Sequence, residues 1–432
     1  MRRVLIVSPH FPPDSSAGAH RARLLAPHLA SFGWTPTIVT VTPDAYDARL
    51  DHELASRVPP ALDVVRVPAW PVSATRRIGV GDLGLRALWP LRQRCAELCT
   101  RERYDVTYIT IYPTYPSVLG PWLKRRFGTR FVLDLQDPWV GSWGAQTGPG
   151  GAPDLRSRVS RALAVRLERR IVPAADGLTS VSHGTLNELA ARVPHAATIP
   201  REELPIGWDA GDVAHAHHTL PSEPHRPWTA VYLGALLPAG RDVLRAFFRG
   251  FAEWRRADAG AARRLRFVGT SNQSTGLLHT QATALADEEG VASDLDESPS
   301  RVPFFDGWRE QVSADLVLVL GTSEPHYTAS KVFGALLSGR PVLAIVHTRS
   351  TVATLIRSAP PASGIELIEI DGAFDVSRLA KQVARRLNTL GALGRGVTVQ
   401  FDPSVLESSR ADRLAARLAG LFDRVCAGAA AA

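Results

Sequence analysis

The stretch MRRVLIVSPHFPPDSSAGAHRARLLAPHLASFGWTPTIVTV, residues 1–41, decides the fold. Val4-Leu5-Ile6-Val7 is a β-rich apolar run, too short before Pro9 for a signal peptide or a spanning helix. Residues 8–18 hold three prolines and a glycine. Residues 19–32 then place Leu24, Leu25 and Leu29 on one helical face that ends at Gly33. A second apolar run, 37–41, follows. Two strands joined through a helix pair in parallel, because parallel pairing needs such a crossover.

Working outward, similar runs recur at 106–111, 131–135 and 178–181, which reads as one doubly wound domain over 1–205. Residues 206–227 are rich in His, Pro and polar groups with little periodicity, and read as a linker. The pattern starts again at 229–234 and continues through 265–269, 316–320 and 341–345, giving a second, similar domain over 228–400. Residues 401–432 carry Leu414, Leu418, Leu421 and Phe422 in helical register, either packing across the first domain or forming an ordinary terminal helix. The expected class is α/β, with two facing Rossmann-like domains. Residues 141–153 are glycine-rich and read as a loop, and a short helix is expected at 281–289.

A chain of 432 residues suits two domains, and its 45% apolar content is that of a globular protein. The net charge of +8 fits nucleic acid, anionic lipid or a phosphorylated substrate. No nucleic-acid module accompanies it, and the aromatic spacing offers no base-stacking platform. Between residues 64 and 94, Trp70, Leu83, Leu85, Leu88 and Trp89 interleave with Arg76, Arg77, Arg86, Arg92 and Arg94. That mixture suits a bilayer surface or a lipid-linked partner, and equally a solvated helix face. Cys95, Cys99 and Cys426 make neither a disulfide framework nor a zinc site, so a reducing, cytoplasmic setting is expected, extending to the inner face of the membrane.

Candidate ligand groups cluster where strands run into helices. In the 8–21 loop, Gly18 permits close backbone approach, and His10, His20 and Arg21 suit phosphate or hydroxyl groups; a rigid proline loop with solvent-facing histidines is the alternative. After the 131–135 run, Asp137 suits a sugar hydroxyl or positive charge at an anomeric carbon, and Trp139 a sugar ring. The other reading makes Asp137 a turn cap and Trp139 a core residue. In the second half, Gly234 closes a strand and Arg241 opens a helix, where a guanidinium would clamp phosphate oxygens. The segment EPHYTASKVFGALLSGRPVL, residues 324–343, sets Glu324, Ser330 and Lys331 ahead of a helix that ends near Gly339. Such a helix start favours anions. Lys331 would neutralise charge on a departing phosphate, and Glu324 would bond a sugar or ribose hydroxyl or serve as a cap.

Together, Val4 through Gly18, residues 134–139, residues 231–241, and Tyr327 to Phe333 through residues 339–342 resemble the retaining glycosyltransferases of the two-domain GT-B fold, family 4. The resemblance spans nearly the whole chain. It implies a GT-B fold with an interdomain cleft, the acceptor bound by the first domain and a nucleoside diphosphate sugar by the second. It further implies transfer to a hydroxyl acceptor with retention, in polysaccharide, glycolipid or secondary-metabolite glycosylation, with no metal and no tightly bound cofactor. Gly18 would sit near the donor phosphates, Arg241 and Lys331 would bind the diphosphate, and Asp137 would lie near the transferred sugar, with Gly234, Glu324 and Ser330 as further donor-binding candidates although Glu324 is displaced from the glutamate of relatives. A lipid-linked acceptor and peripheral membrane contact are further expectations. The chain departs from the pattern at Gln136, where relatives often place His or Arg, and at His326 and Gly334, where relatives carry two glutamates. A nucleotide-sugar hydrolase, an epimerase, or a noncatalytic protein of the same fold are the alternatives.

Overall fold

The computed structural model describes residues 1–47, 49–111, 114–140, 155–218, 227–257, 262–271, 280–323 and 331–428. The chain divides into two compact units, Met1–Gly207 with Ala411–Ala432, and Trp208–Arg410.

The first unit holds β1 (Arg2–Val7), β2 (Trp34–Val41), β3 (Asp63–Val67), β4 (Val106–Thr110), β5 (Arg130–Leu135), β6 (Gly177–Ser180) and β7 (Arg201–Glu203). They form one parallel sheet in the order β3-β2-β1-β4-β5-β6-β7. Because successive side chains alternate across a strand, β1 sends Leu5 and Val7 into one core and Val4 and Ile6 into the other. Helix Leu83–Arg101 supplies Leu83, Ala87, Leu91 and Cys95 to the first core. The opposite core receives Leu414, Leu418, Leu421 and Phe422 from helix Ala411–Ala427, and Phe422 meets Trp34 edge-on at 5.1 Å. The terminal helix is therefore part of the first unit. Arg417 and Arg424 also bond Glu202, at 2.8 and 2.9 Å.

The second unit repeats the topology. Strands β8 (Trp228–Leu233), β9 (Arg263–Val268), β10 (Leu295–Ser298), β11 (Leu316–Leu320), β12 (Val342–His347) and β13 (Ile365–Ile370) form a parallel sheet ordered β10-β9-β8-β11-β12-β13. Phe247, Phe248 and Phe251 of helix Arg241–Ala257 pack on one face, and Phe333 and Leu336 of helix Val332–Leu337 on the other. In both sheets the order reverses beside the unit's first strand, between β1 and β4 and between β8 and β11. Such a reversal opens a crevice at the carboxyl ends of the strands, where open α/β sheets take ligands.

Two expectations change in detail. The 19–32 helix is a nine-residue α-helix, Ala17–Leu25, followed by a 3-10 segment, Ala26–Phe32. Pro27 lacks the N–H a continued helix needs, and Gly33 closes the segment at φ 82°. The 206–227 stretch contains helix Ala210–His218, which belongs to the second unit. It is anchored by Trp208, 9% exposed, whose indole donates to Leu406 O at 2.9 Å, and by His215 against Phe305 at 4.7 Å.

Candidate active site

At the crevice of the second sheet, Gly234 follows β8 and Lys331 lies beyond β11. The Lys331 side chain lies down against Gly234, whose φ of 137° belongs to glycine. Any side chain at 234 would take the space of Lys331 Nζ. The residue as a whole is exposed, but its ammonium end is surrounded by protein. Burial first, and the Arg301 charge second, pull the Lys331 ammonium down to about 8. Arg301 follows β10 and its backbone runs beside Gly269, the glycine that ends β9 at φ 70°. Neither cation has a carboxylate partner among the described residues. Two like charges held close, one desolvated, are stabilised by an anion placed between them.

Arg301 carries no motif and was not singled out from the sequence. Its place is set by the β9–β10 pairing, Leu265 with Leu295 through Val268 with Ser298, which brings residue 301 to the sheet's carboxyl edge. Arg241 lies elsewhere. It opens helix Arg241–Ala257, exposed, with its guanidinium 3.3 Å from Glu288. A cation at a helix N-terminus opposes the dipole, and Glu288 offsets this. Glu324, His326 and Ser330 lie outside the described residues. Gly334 is buried in helix Val332–Leu337, and a side chain there would meet the buried Gln311 Oε1, so Gln311 would have to move to admit it.

In the first unit, polar groups gather beyond β1 and β5. His10 Nδ1 lies 2.5 Å from Asp14 Oδ2, and the Ser16 hydroxyl donates to the same carboxylate at 2.5 Å. Burial pushes the Asp14 carboxyl up, but these bonds outweigh it and hold it below the usual range. Because Ser16 is turned to Asp14, helix Ala17–Leu25 starts without a side-chain cap, with Gly18 buried in its first turn. Beyond β5, Gln136 is 6% exposed, and neither atom of its carboxamide has a hydrogen-bond partner among the described residues. A buried amide is normally satisfied, so this one is suited to a ligand hydroxyl. Asp137 beside it is solvent-accessible, yet the protein around it desolvates the carboxyl and raises its pKa. Trp139 is 4% exposed, within the core, which matches its packing alternative rather than a sugar-covering role.

Arg21, Asp134 and His20 are structural. Arg21 and Asp134 form an ion pair at 3.0 Å with both side chains 0% exposed. Arg21 also donates to the carbonyls of Leu204 and Pro205 at 2.6 and 3.0 Å, while Asp134 accepts from Thr179 at 2.7 Å. With its donors committed and no solvent contact, Arg21 is not a phosphate ligand. His20 is buried; desolvation, and then the Arg23 charge, bring its imidazole down to about 3, so it is neutral at ordinary pH.

Residues 16–201 match the model of the glycosyl transferase 4-like domain. No curated protein matches the chain in sequence. Among solved structures, sucrose-phosphate synthase from Thermosynechococcus elongatus is 14% identical at a TM-score of 0.62, covering 99% of this chain and 100% of that one. Anabaena HepE, solved in complex with UDP-glucose, is 14% identical at a TM-score of 0.55 over 100% of both chains. The UDP-GlcNAc 2-epimerase of Methanocaldococcus jannaschii is 9% identical at a TM-score of 0.50, covering 98% of this chain and 100% of that one. The N-terminal unit is thus similar to the glycosyl transferase 4-like domain, and the chain has the GT-B type of two-unit α/β fold.

Proposed function

We propose that the protein is a glycosyltransferase that moves a sugar from a nucleoside diphosphate sugar to a hydroxyl acceptor with retention of configuration. The observation that carries the reading is the Lys331 ammonium seated on Gly234 at the second sheet's crevice, with Arg301 beside it. The glycosyl transferase 4-like match, and a fold like that of a protein solved with UDP-glucose, support a donor of this class.

In this reading the diphosphate lies on Lys331 and Arg301, and the absent side chain at Gly234 leaves the room in which Lys331 Nζ is seated. As the bond from the anomeric carbon to the diphosphate oxygen breaks, the two cations stabilise the growing charge. The acceptor oxygen bonds the anomeric carbon on the same face, and its proton passes to the departing diphosphate. Retention then needs no separate base. Gln136 and Asp137 hold hydroxyls in the first unit, and Arg241 joins the diphosphate only by leaving Glu288.

The test is calorimetric binding of UDP-, GDP-, ADP- and dTDP-sugars to the native protein and to Lys331→Ala, Arg301→Ala and Arg241→Ala. One donor should bind saturably, with Lys331→Ala weakening it about 10- to 100-fold and Arg241→Ala less, since a hydrogen bond to a charged group is worth roughly 1.5–3 kcal/mol. Binding indifferent to Lys331→Ala and Arg301→Ala would remove the diphosphate site. Donor consumption without any acceptor would turn the reading toward hydrolysis or epimerisation.

A further inference from the structure

Helix Leu83–Arg101 carries two apolar stripes. Leu83, Ala87, Leu91 and Cys95 face the core, while Leu85, Leu88, Trp89 and Arg92, spaced i, i+3, i+4 and i+7, line a second side, Leu88 at the core's margin and Trp89 exposed. The second stripe is one wall of a cavity of about 480 Å³ in the first unit, closed on its other sides by Trp70, Val118 and Trp122. Sites for small apolar ligands span about 300–1,000 Å³. Trp70 and Trp89 are 60% and 56% exposed, among the largest apolar side chains that the protein leaves in solvent. An apolar patch of this kind marks an interaction site.

The charge around it names the partner. The lining includes Arg86 and Arg92 and no carboxylate. Arg92 lies 5.0 Å from the Trp89 ring and 4.6 Å from Trp122, stacked between them. Arg86 is committed to the fold instead: it donates to Trp70 O and Ala45 O and lies 3.9 Å from the Asp47 carboxylate. Arg77, next to the lining segment at Thr75, is exposed and has no carboxylate partner among the described residues. Tryptophans at a rim, an apolar slot behind them, and Arg77 and Arg92 beside them without carboxylate partners among the described residues match the layers of a phospholipid interface: aromatic rings at headgroup depth, acyl chain below, phosphate against guanidinium.

We propose that this groove docks the protein on an anionic phospholipid bilayer, with Trp70 and Trp89 entering the interface, an acyl chain filling the cavity, and Arg77 and Arg92 meeting lipid phosphates. No described helix is long and apolar enough to cross a membrane, so the contact is with one leaflet. The groove lies outside the residues assigned to sugar transfer, and the docking stands whether or not that reading holds.

Sedimentation of the full chain with vesicles of phosphatidylcholine, or of phosphatidylcholine with phosphatidylglycerol, tests it. The protein should pellet with the anionic vesicles, release with rising salt, and stay in solution with the neutral ones. Trp70→Ser with Trp89→Ser, and separately Arg77→Gln with Arg92→Gln, should each weaken partition about tenfold. Unchanged circular dichroism establishes that the variants fold. If the tryptophan variant does not fold, quenching of the native protein's fluorescence by lipids brominated along the acyl chain takes its place. No pelleting with anionic vesicles, equal pelleting with neutral ones, partition untouched by the substitutions, or absence of quenching would each overturn the proposal.

Discussion

Lys331 is held partly out of water for a purpose that a lysine on a solvated turn would not serve. An ammonium brought down to about 8 loses its charge just above neutrality, so affinity for a nucleoside diphosphate should be level below pH 7 and fall as pH rises through about 8. Bound phosphate favours the charged form and pushes the pKa back up, so binding near pH 8 should take up protons. Calorimetry in buffers of different ionisation enthalpy reads that uptake, and Lys331→Ala should abolish it. His20 works in the opposite sense, through stability. Its imidazole titrates near 3 in the fold against 6.5 when free, so between these values the unfolded chain binds the extra proton. Stability is therefore full above pH 6.5 and declines as pH falls toward 3, by a few kcal/mol at most. Urea unfolding at pH 7 and pH 4.5 should show a smaller difference for His20→Gln than for the native protein.

At the scale of elements, Gly334 shows how closely a short helix is fitted to its neighbour, because Gln311 Oε1 stands where a side chain at 334 would begin. Gly334→Glu should destabilise the second unit by about 1–3 kcal/mol because Gln311 fills the space, and Gln311→Ala should recover part of that loss in chemical unfolding. Phe422→Ala, at the centre of the terminal helix's packing on Trp34 and Tyr108, should cost the first unit about 3–5 kcal/mol by the same measure. The strands legible in the sequence were the interior ones, whose two buried faces force continuous apolar runs such as 316–320. The strands that escaped reading are β3, β7, β10 and β13, the four sheet edges. Their residues, as in Arg201–Glu203 or Leu295–Ser298, face solvent in part and carry charge, so no apolar run marks them. The site was legible to a similar degree. Gly234 and Lys331 each stood at a strand-to-helix junction that the pattern exposes. Arg301 did not, because only the pairing of an edge strand brings it there. Arg21 looked like a ligand because its partner, Asp134, is 113 residues away in the chain.

Taken whole, the molecule is one α/β unit whose chain is interrupted by another. The second unit, Trp208–Arg410, is continuous, and its two ends are tied by the Trp208 N–H donating to Ser409 O at 3.1 Å. A fragment spanning 208–410 should therefore fold alone and melt cooperatively, whereas 1–207 lacks the helix that supplies Leu414, Leu418, Leu421 and Phe422 to its core. That fragment should gain stability when a peptide of residues 411–428 is added; thermal melts followed by circular dichroism would read both outcomes. The interruption also orders events during synthesis. At about 5–20 residues per second, the roughly 200 residues of the second unit separate the first unit's sheet from its closing helix by on the order of 10 to 40 seconds. Through that interval the nascent chain carries an uncovered apolar sheet face while its later-made half is already complete, which makes the first-born part of this protein the last to mature and the stage at which a chaperone has most to hold.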